Sequence, residues 1–259
     1  MNKNFKKIAI EAALGSGVLI KKSIGRIARI SYKGSDNIVT DVDKASEKFI
    51  IRKILSNFKD HSILAEESSP REGASGYRWI IDPLDGTTNF AHGFPFFCVS
   101  IALEYNGQVI LGVVYDPIRD ELFSSESGKG SYLNNKRIFV SKTKALSKSF
   151  LATGFSYGKK RKAENIGHFK NLIMKALAIR RAGSAALDLC YVACGRFDGF
   201  WELYLKPWDS AAGMIIVQEA GGVVTKFDAS KHSPGDRELI ATNRFIHRQV
   251  VAVLLKNHI

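Results

Sequence analysis

The stretch Trp79-Ile80-Ile81-Asp82-Pro83-Leu84-Asp85-Gly86-Thr87-Thr88-Asn89-Phe90 constrains this chain more than any other. An apolar run of this kind reads as a buried strand, and Pro83 ends its ladder because proline has no N–H to donate. Two acids therefore stand just past the C-terminal end of a strand, where open α/β sheets receive their ligands. Asp85 follows Asp82 by three residues, so a tight turn aims both carboxylates and the Leu84 carbonyl at one point. Gly86 allows close backbone approach, and Thr87-Thr88-Asn89 reads as a helix start whose free N–H groups favour an anion. Hard oxygens beside such a helix end suit a Mg²⁺–phosphate pair.

The rest of the chain supplies a frame. Lys3 to Gly25 reads as an amphipathic first helix with Phe5, Ile8, Ala9, Ala12, Ala13 and Leu19 on one face. Glu11 and the lack of a cleavage pattern argue against a signal peptide, and no stretch approaches the roughly 18–20 apolar residues of a membrane span. Positions 32–37 form a turn, and Asp43 to Phe58 a second helix with Ala45, Phe49, Ile50, Ile54 and Leu55 inward. Short strands follow at Ser62–Ala65 and Tyr77–Ile81. Phe97–Tyr105, Val109–Tyr115, Glu121–Ser124 and Gly130–Leu133 then form an antiparallel meander. Helices at Leu187–Ala193, Ala211–Glu219 and Phe245–Leu255 complete a layered α/β (α+β) architecture. It is expected to be a single catalytic domain over 1–259 whose two lobes meet near 140–150.

Three further segments carry acids. Glu66-Glu67 ends the strand at Ser62–Ala65, and adjacent carboxylates repel unless a cation or solvent relieves them. Pro207-Trp208-Asp209-Ser210 leads into a helix, where Asp209 stands as an N-cap or a metal ligand. In Val39-Thr40-Asp41-Val42-Asp43, near Lys33, Asp43 either caps the second helix or supports a catalytic water. Cys98, Cys190 and Cys194 form no paired pattern, so they read as core thiols in a reducing cytoplasm.

In this order and spacing the segments resemble the inositol monophosphatase family of Mg²⁺-dependent phosphatases. The Asp82–Phe90 string is similar to its first signature, and Trp208-Asp209-Ser210-Ala211-Ala212-Gly213 with Glu219-Ala220-Gly221-Gly222 to its second. The resemblance covers essentially the whole chain. It implies a layered αβαβα sandwich holding two to three Mg²⁺, for which Mn²⁺ substitutes. Glu66, Asp82 and the Leu84 carbonyl would hold one ion, and Asp82, Asp85 and Asp209 another; the third would lean on Glu66. It further implies that Thr87, with Glu66 and supported by Asp43, orients the attacking water. Asp85, Gly86 and Thr87, the Gly183-Ser184-Ala185 loop and Glu202 would bind substrate. The expected reaction is hydrolysis of a small polyol or sugar phosphate, inositol 1-phosphate first and fructose 1,6-bisphosphate as alternative, by a homodimer. Histidinol phosphatases and nucleotide 3′-phosphatases share the metal motifs. Asn37 stands where some members carry an acid.

Composition adds a second class of reading. Lys+Arg 38 against Asp+Glu 25 leaves a net charge of +13 over 259 residues, with 45% hydrophobic and 24% charged. That excludes a disordered chain. The basic excess suits RNA, transcription machinery or steering of anionic substrates, as in some bacterial proteins resembling this family. Lys159-Lys160-Arg161-Lys162 reads as a solvated basic loop, and Arg180-Arg181 as partners for nearby acids or for a phosphate. No RNA-binding motif accompanies the charge.

Overall fold

The structure is a computed structural model and describes residues 4–25, 30–32 and 38–255. Lys33, Asn37 and most of the turn read at 32–37 lie outside the described residues. The first helix, α1 (Asn4–Ser23), is followed by the antiparallel pair β1 (Ile30–Tyr32) and β2 (Ile38–Thr40) and by α2 (Asp41–Leu55). Seven strands come next: β3 (Ser62–Ala65), β4 (Tyr77–Asp85), β5 (Cys98–Tyr105), β6 (Gln108–Asp116), β7 (Glu121–Glu126), β8 (Gly130–Leu133) and β9 (Lys136–Ile138). They form one sheet in sequence order, parallel only between β3 and β4, with a short helix α3 (Thr87–Ala91) between β4 and β5.

The second half holds β10 (Phe150–Thr153), α4 (Lys159–Ile173), β11 (Ala178–Arg180), α5 (Ala185–Ala193), β12 (Gly199–Leu203), α6 (Pro207–Glu219), β13 (Val223–Thr225), β14 (Glu238–Thr242) and α7 (His247–Leu254). Its five-stranded sheet runs in the order β11-β10-β12-β14-β13. The chain passes from one sheet to the other between Ile138 and Phe150.

Strand alternation shows how these elements stack. Side chains of successive strand residues point to opposite faces. On β4, Trp79 and Ile81 join the core beneath α1 and α2, while Ile80 joins the core of α5 and α6. On β12, Phe200 faces that same middle core, while Trp201 packs with Leu172 of α4 and Val250 of α7. The order is therefore helices, sheet, helices, sheet, helices: the expected αβαβα sandwich, with α5 and α6 apolar nearly all round because sheets cover both their sides.

Several local expectations are corrected. On α1 the buried face ends in Ile20, with Leu19 only half-buried. On α2, Ala45 is exposed, and Ser46 and Glu47 point inward. Ser46 Oγ donates to the Pro83 carbonyl at 2.8 Å, and Glu47 Oε2 accepts the Glu67 N–H at 2.8 Å. Because this face serves polar partners near the acids, counting only apolar residues rotates it by one position. Lys159–Lys162 is the first turn of α4 rather than a loop, and β9 went unread because its Lys-Arg-Ile carries no apolar alternation. Cys98 and Cys190 are buried and Cys194 half-buried, all three free thiols.

Close approach of α6 to the first sheet depends on Gly112 of β6. A Cβ there would lie 2.6 Å from the Ala212 carbonyl oxygen and 2.7 Å from Ile215 Cγ2. Backbone cannot yield cheaply, so Gly112→Ala is expected to cost about 1–3 kcal/mol by overpacking. Urea unfolding should show a lower midpoint at an unchanged slope.

Candidate active site

The site begins as an irregularity in β4. Asp82 pairs with Ser100 and Asp85 with Cys98, so three steps on β4 face two on β5. This is a bulge of one extra residue. In a regular strand two residues three apart would point to opposite faces; the extra residue restores them to the same one. Pro83, with no N–H to contribute, sits inside the irregularity. The strand therefore continues through Asp85 instead of ending at Pro83 as expected.

Gly86 then turns the chain. Its φ of +94° lies in the left-handed region, and a Cβ would stand 2.9 Å from the Phe96 carbonyl oxygen. Only glycine meets both demands without strain. Thr87 opens α3, and its hydroxyl donates to Asp43 Oδ1 at 2.8 Å and to the Leu84 carbonyl at 3.0 Å. Asp43 Oδ2 accepts the Thr40 N–H at 2.8 Å, while Thr40 Oγ1 accepts the Val42 N–H. Thr40, not Asp43, is thus the cap of α2; Asp43 closes the capping box and reaches the site with its other oxygen. Asp209 is likewise not the cap of α6. It lies three residues past Lys206 and accepts the Lys206 N–H on Oδ2 at 2.6 Å.

These elements enclose a cleft of about 330 Å³. Glu66, Asp82, Leu84, Asp85, Gly86, Thr87, Gly183, Ser184, Ala185, Glu202 and Asp209 all line it. Of the expected site residues, Asp43 alone stands behind the wall, touching it through Thr87. The sequence reading passed over Tyr157, Asp188 and Tyr204, which also line the cleft, as does Arg161; of Arg180, Arg181 and Lys206, the candidates for a second anion pocket in a bisphosphatase, Arg181 and Lys206 line it. Asp188 had a legible signal, one helical turn after the Ser184 cap. Arg180, by contrast, packs its guanidinium on the Phe150 ring, 4.8 Å from the centroid.

Crowding of like charge dominates the electrostatics. Asp82 is 2% exposed, and burial holds its carboxyl well above the usual range, reinforced by Glu66, Asp85 and Asp209. Burial pushes Asp85 up to about 6, against hydrogen bonds to its Oδ2 from Ser184 Oγ and the Ala186 N–H, each 2.7 Å. Asp209 is raised by burial and then by Asp85. Glu202 is pushed up to about 8 by burial, opposed by Arg181.

The donor set is all oxygen, which suits a hard divalent cation over zinc. Mutual repulsion among the acids is the stress such a cation relieves, and in both respects the residues fit one. Their side chains are not drawn together, however. Among the described residues no group of three or more His, Cys, Asp and Glu is arranged to hold a metal ion. Asp82, Asp85 and Asp209 each commit one oxygen to an anchor of their own, Asp82 through the Leu84 N–H at 2.9 Å.

Comparison with known proteins decides what this cleft belongs to. The family model described as the inositol monophosphatase family matches residues 1–258. The chain belongs to the inositol monophosphatase family. An inositol-1-monophosphatase of Synechocystis sp. is 43% identical over 251 residues, covering 96% of this chain and 88% of that protein. The Nus factor SuhB of Pseudomonas aeruginosa is 43% identical over 245 residues, covering 91% and 90%. Among solved structures, the inositol monophosphatase of Anabaena (Nostoc) superposes with a TM-score of 0.88 at 44% identity, covering 98% of this chain and 96% of that one. The protein is accordingly a phosphatase of a metal-dependent family.

The raised carboxyls give stability a pH dependence in the absence of cations. Asp85 and Glu202 rise from ordinary values of 3.8 and 4.5 to about 6 and about 8 on folding. The folded protein therefore keeps protons that the unfolded chain has already released. Their contribution is complete below about pH 4 and is lost as pH rises through about 6 and then about 8. With chelator present, the melting temperature should fall between about pH 5 and 8. Glu202→Gln should flatten the upper part of that fall, and a melting temperature that climbs over this range would contradict the assignment.

Proposed function

We propose that this phosphatase hydrolyses small polyol or sugar phosphate monoesters with Mg²⁺, inositol 1-phosphate first and fructose 1,6-bisphosphate as the alternative. The observation that carries the reading is the β4 bulge, which turns Asp82 and Asp85 into the cleft that Glu66, Asp209 and Glu202 also line. Glu66, Asp82, the Leu84 carbonyl, Asp85 and Asp209 would hold two to three ions, with Mn²⁺ able to replace Mg²⁺. Bound there, the metal supplies positive charge at the phosphate, acidifies the attacking water and steadies the departing alkoxide.

The chain's own part is positioning, as in other phosphoryl transfers. Thr87 shares its one proton between Asp43 Oδ1 and the Leu84 carbonyl, which leaves its lone pairs for the attacking water. Asp43 is held by Thr40, so the direction of the Thr87 hydroxyl is set by the capping of α2. Glu66 would share the water, and the Gly86 and Thr87 N–H groups would hold phosphate oxygens. Glu202 and the Gly183-Ser184-Ala185 loop would take the alcohol part. The reading extends to a single catalytic domain of two lobes, working as a homodimer in the cytoplasm. Its three cysteines are free, and no helix among the described residues is long and apolar enough to cross a membrane.

A second reading rests on the net charge of +13 and on a relative named as a Nus factor. It assigns the basic surface to RNA or transcription machinery alongside catalysis. Salt-dependent RNA retention would support it, and retention that ignores salt would not.

Phosphate release from inositol 1-phosphate and fructose 1,6-bisphosphate, measured side by side with Mg²⁺ and with EDTA, tests the main reading. Release should require Mg²⁺ and favour the inositol ester. Asp82→Asn should lower kcat by about 1,000-fold or more while the protein stays folded. Undiminished turnover in that variant would remove Asp82 from the site.

A further inference from the structure

One acid in the cleft has no place in the chemistry above. Asp188 lies in the first turns of α5, its N–H donating to the Ser184 carbonyl at 3.0 Å. It is 1% exposed and lines the cleft, yet its Oδ1 has no hydrogen-bond partner. The other two buried side-chain atoms in that condition among the described residues, Ser75 Oγ and His232 Nε2, belong to residues that do not line the cleft. A buried carboxylate oxygen left unmatched costs the desolvation of that group, so folded proteins keep few of them. The charges that act on Asp188 come from Glu202, Asp85 and Arg181.

Glu202 is its nearest counterpart in kind, a buried acid carried by β12 on the second sheet. Its carboxylate occupies the space a side chain at residue 154 would fill, so Gly154 is what seats it. Asp82 and Asp85 come from the first sheet, and Asp188 stands on the helix layer between the two. The cleft thus draws acids from the β4 bulge, from α5 and from β12, and of the charges acting on Asp188 that of Glu202 is the largest.

We propose that Asp188 is a specificity-determining residue that, with Glu202, forms a hydroxyl-binding subsite selecting phosphate esters of polyols over those of apolar or aromatic alcohols. A hydroxyl both donates and accepts, so it matches a carboxyl in either protonation state. It also adds no charge to a wall where Arg181 already opposes the acids. Two buried acids lining one cleft and feeling each other's charge suit the several hydroxyls of one polyol. This inference rests on the polyol-phosphate reading and adds to it the residue that enforces the choice.

The test compares kcat/KM for inositol 1-phosphate and phenyl phosphate in the Mg²⁺-loaded wild type and in Asp188→Leu, Asp188→Asn and Gly154→Ala. Asp188→Leu should lower the inositol-to-phenyl ratio by about 10–100-fold, the effect of deleting a hydrogen bond to a charged group. Asp188→Asn, which keeps one acceptor oxygen, should lower it less. Gly154→Ala, which displaces Glu202, should lower it in the same direction. Equal losses on both esters, or a melting temperature raised by Asp188→Leu with the ratio unchanged, would make Asp188 structural and overturn the proposal. A wild type with no preference for the inositol ester would instead sink the polyol reading, and this inference with it. If the leucine variant fails to fold, the ratio in Asp188→Asn decides.

Discussion

Confinement of like charge is the constraint on which this molecule depends. Glu66, Asp82, Asp85 and Asp209 share one cleft, and burial drives the pKa of each of the three aspartates upward. A fold that gathers carboxylates in this way must hold them against their own repulsion. It does so with backbone anchors: the Leu84 N–H for Asp82, the Ala186 N–H for Asp85 and the Lys206 N–H for Asp209. Two of these anchors belong to helix starts and the third to the β4 bulge, so the acids are fixed by backbone that the elements themselves place. The two thick sheets and the apolar α5 and α6 between them supply the rigidity behind those anchors.

Helix starts do double duty throughout. Asp43 and Asp209 both sit three residues past the residue that begins their helix, and each turns one oxygen back to a backbone N–H. That leaves the second oxygen for the site, where Asp43 accepts from Thr87. A carboxylate at this position costs the helix nothing, since acids favour its positive end. Of the alternatives open for both residues in the sequence, the cap itself falls away: Thr40 and Lys206 take that position, and each aspartate turns one oxygen back to the cap residue's N–H.

What the sequence made legible divides along the same physics. Strands with apolar texture, such as Ser62–Ala65 and Gly130–Leu133, were placed to the residue, and the layered architecture followed from their order with the helices. The cleft residues of the two signature strings were legible through resemblance, since their spacing is a property of the chain. Where polar groups are buried, apolar counting misplaced them: Ser46 and Glu47 on α2 face inward because the Pro83 carbonyl and the Glu67 N–H need partners. The bulge was illegible for a related reason. A proline after an acid signals a strand end, and only pairing with β5 shows that the strand resumes. Arg161 and Tyr157 reach the cleft from the segment before and within α4, brought there by tertiary packing that no local pattern encodes.

The asymmetry of the cleft follows from its two sheets. The β4 end is built from a bulge, a left-handed glycine and a short helix, all of which position backbone groups as well as acids. The β12 end contributes the acid side chains of Glu202, seated over Gly154, and of Asp188 on the intervening helix. Backbone groups serve a phosphate, whose oxygens are the same in every ester, whereas side chains can differ from one protein to another without disturbing the fold. Under the proposed function, chemistry falls to the β4 end together with Asp209, and selectivity to Glu202 and Asp188. A fold so divided can keep its reaction while its preferred alcohol changes through residues such as Asp188, whose Oδ1 has no hydrogen-bond partner in the protein itself.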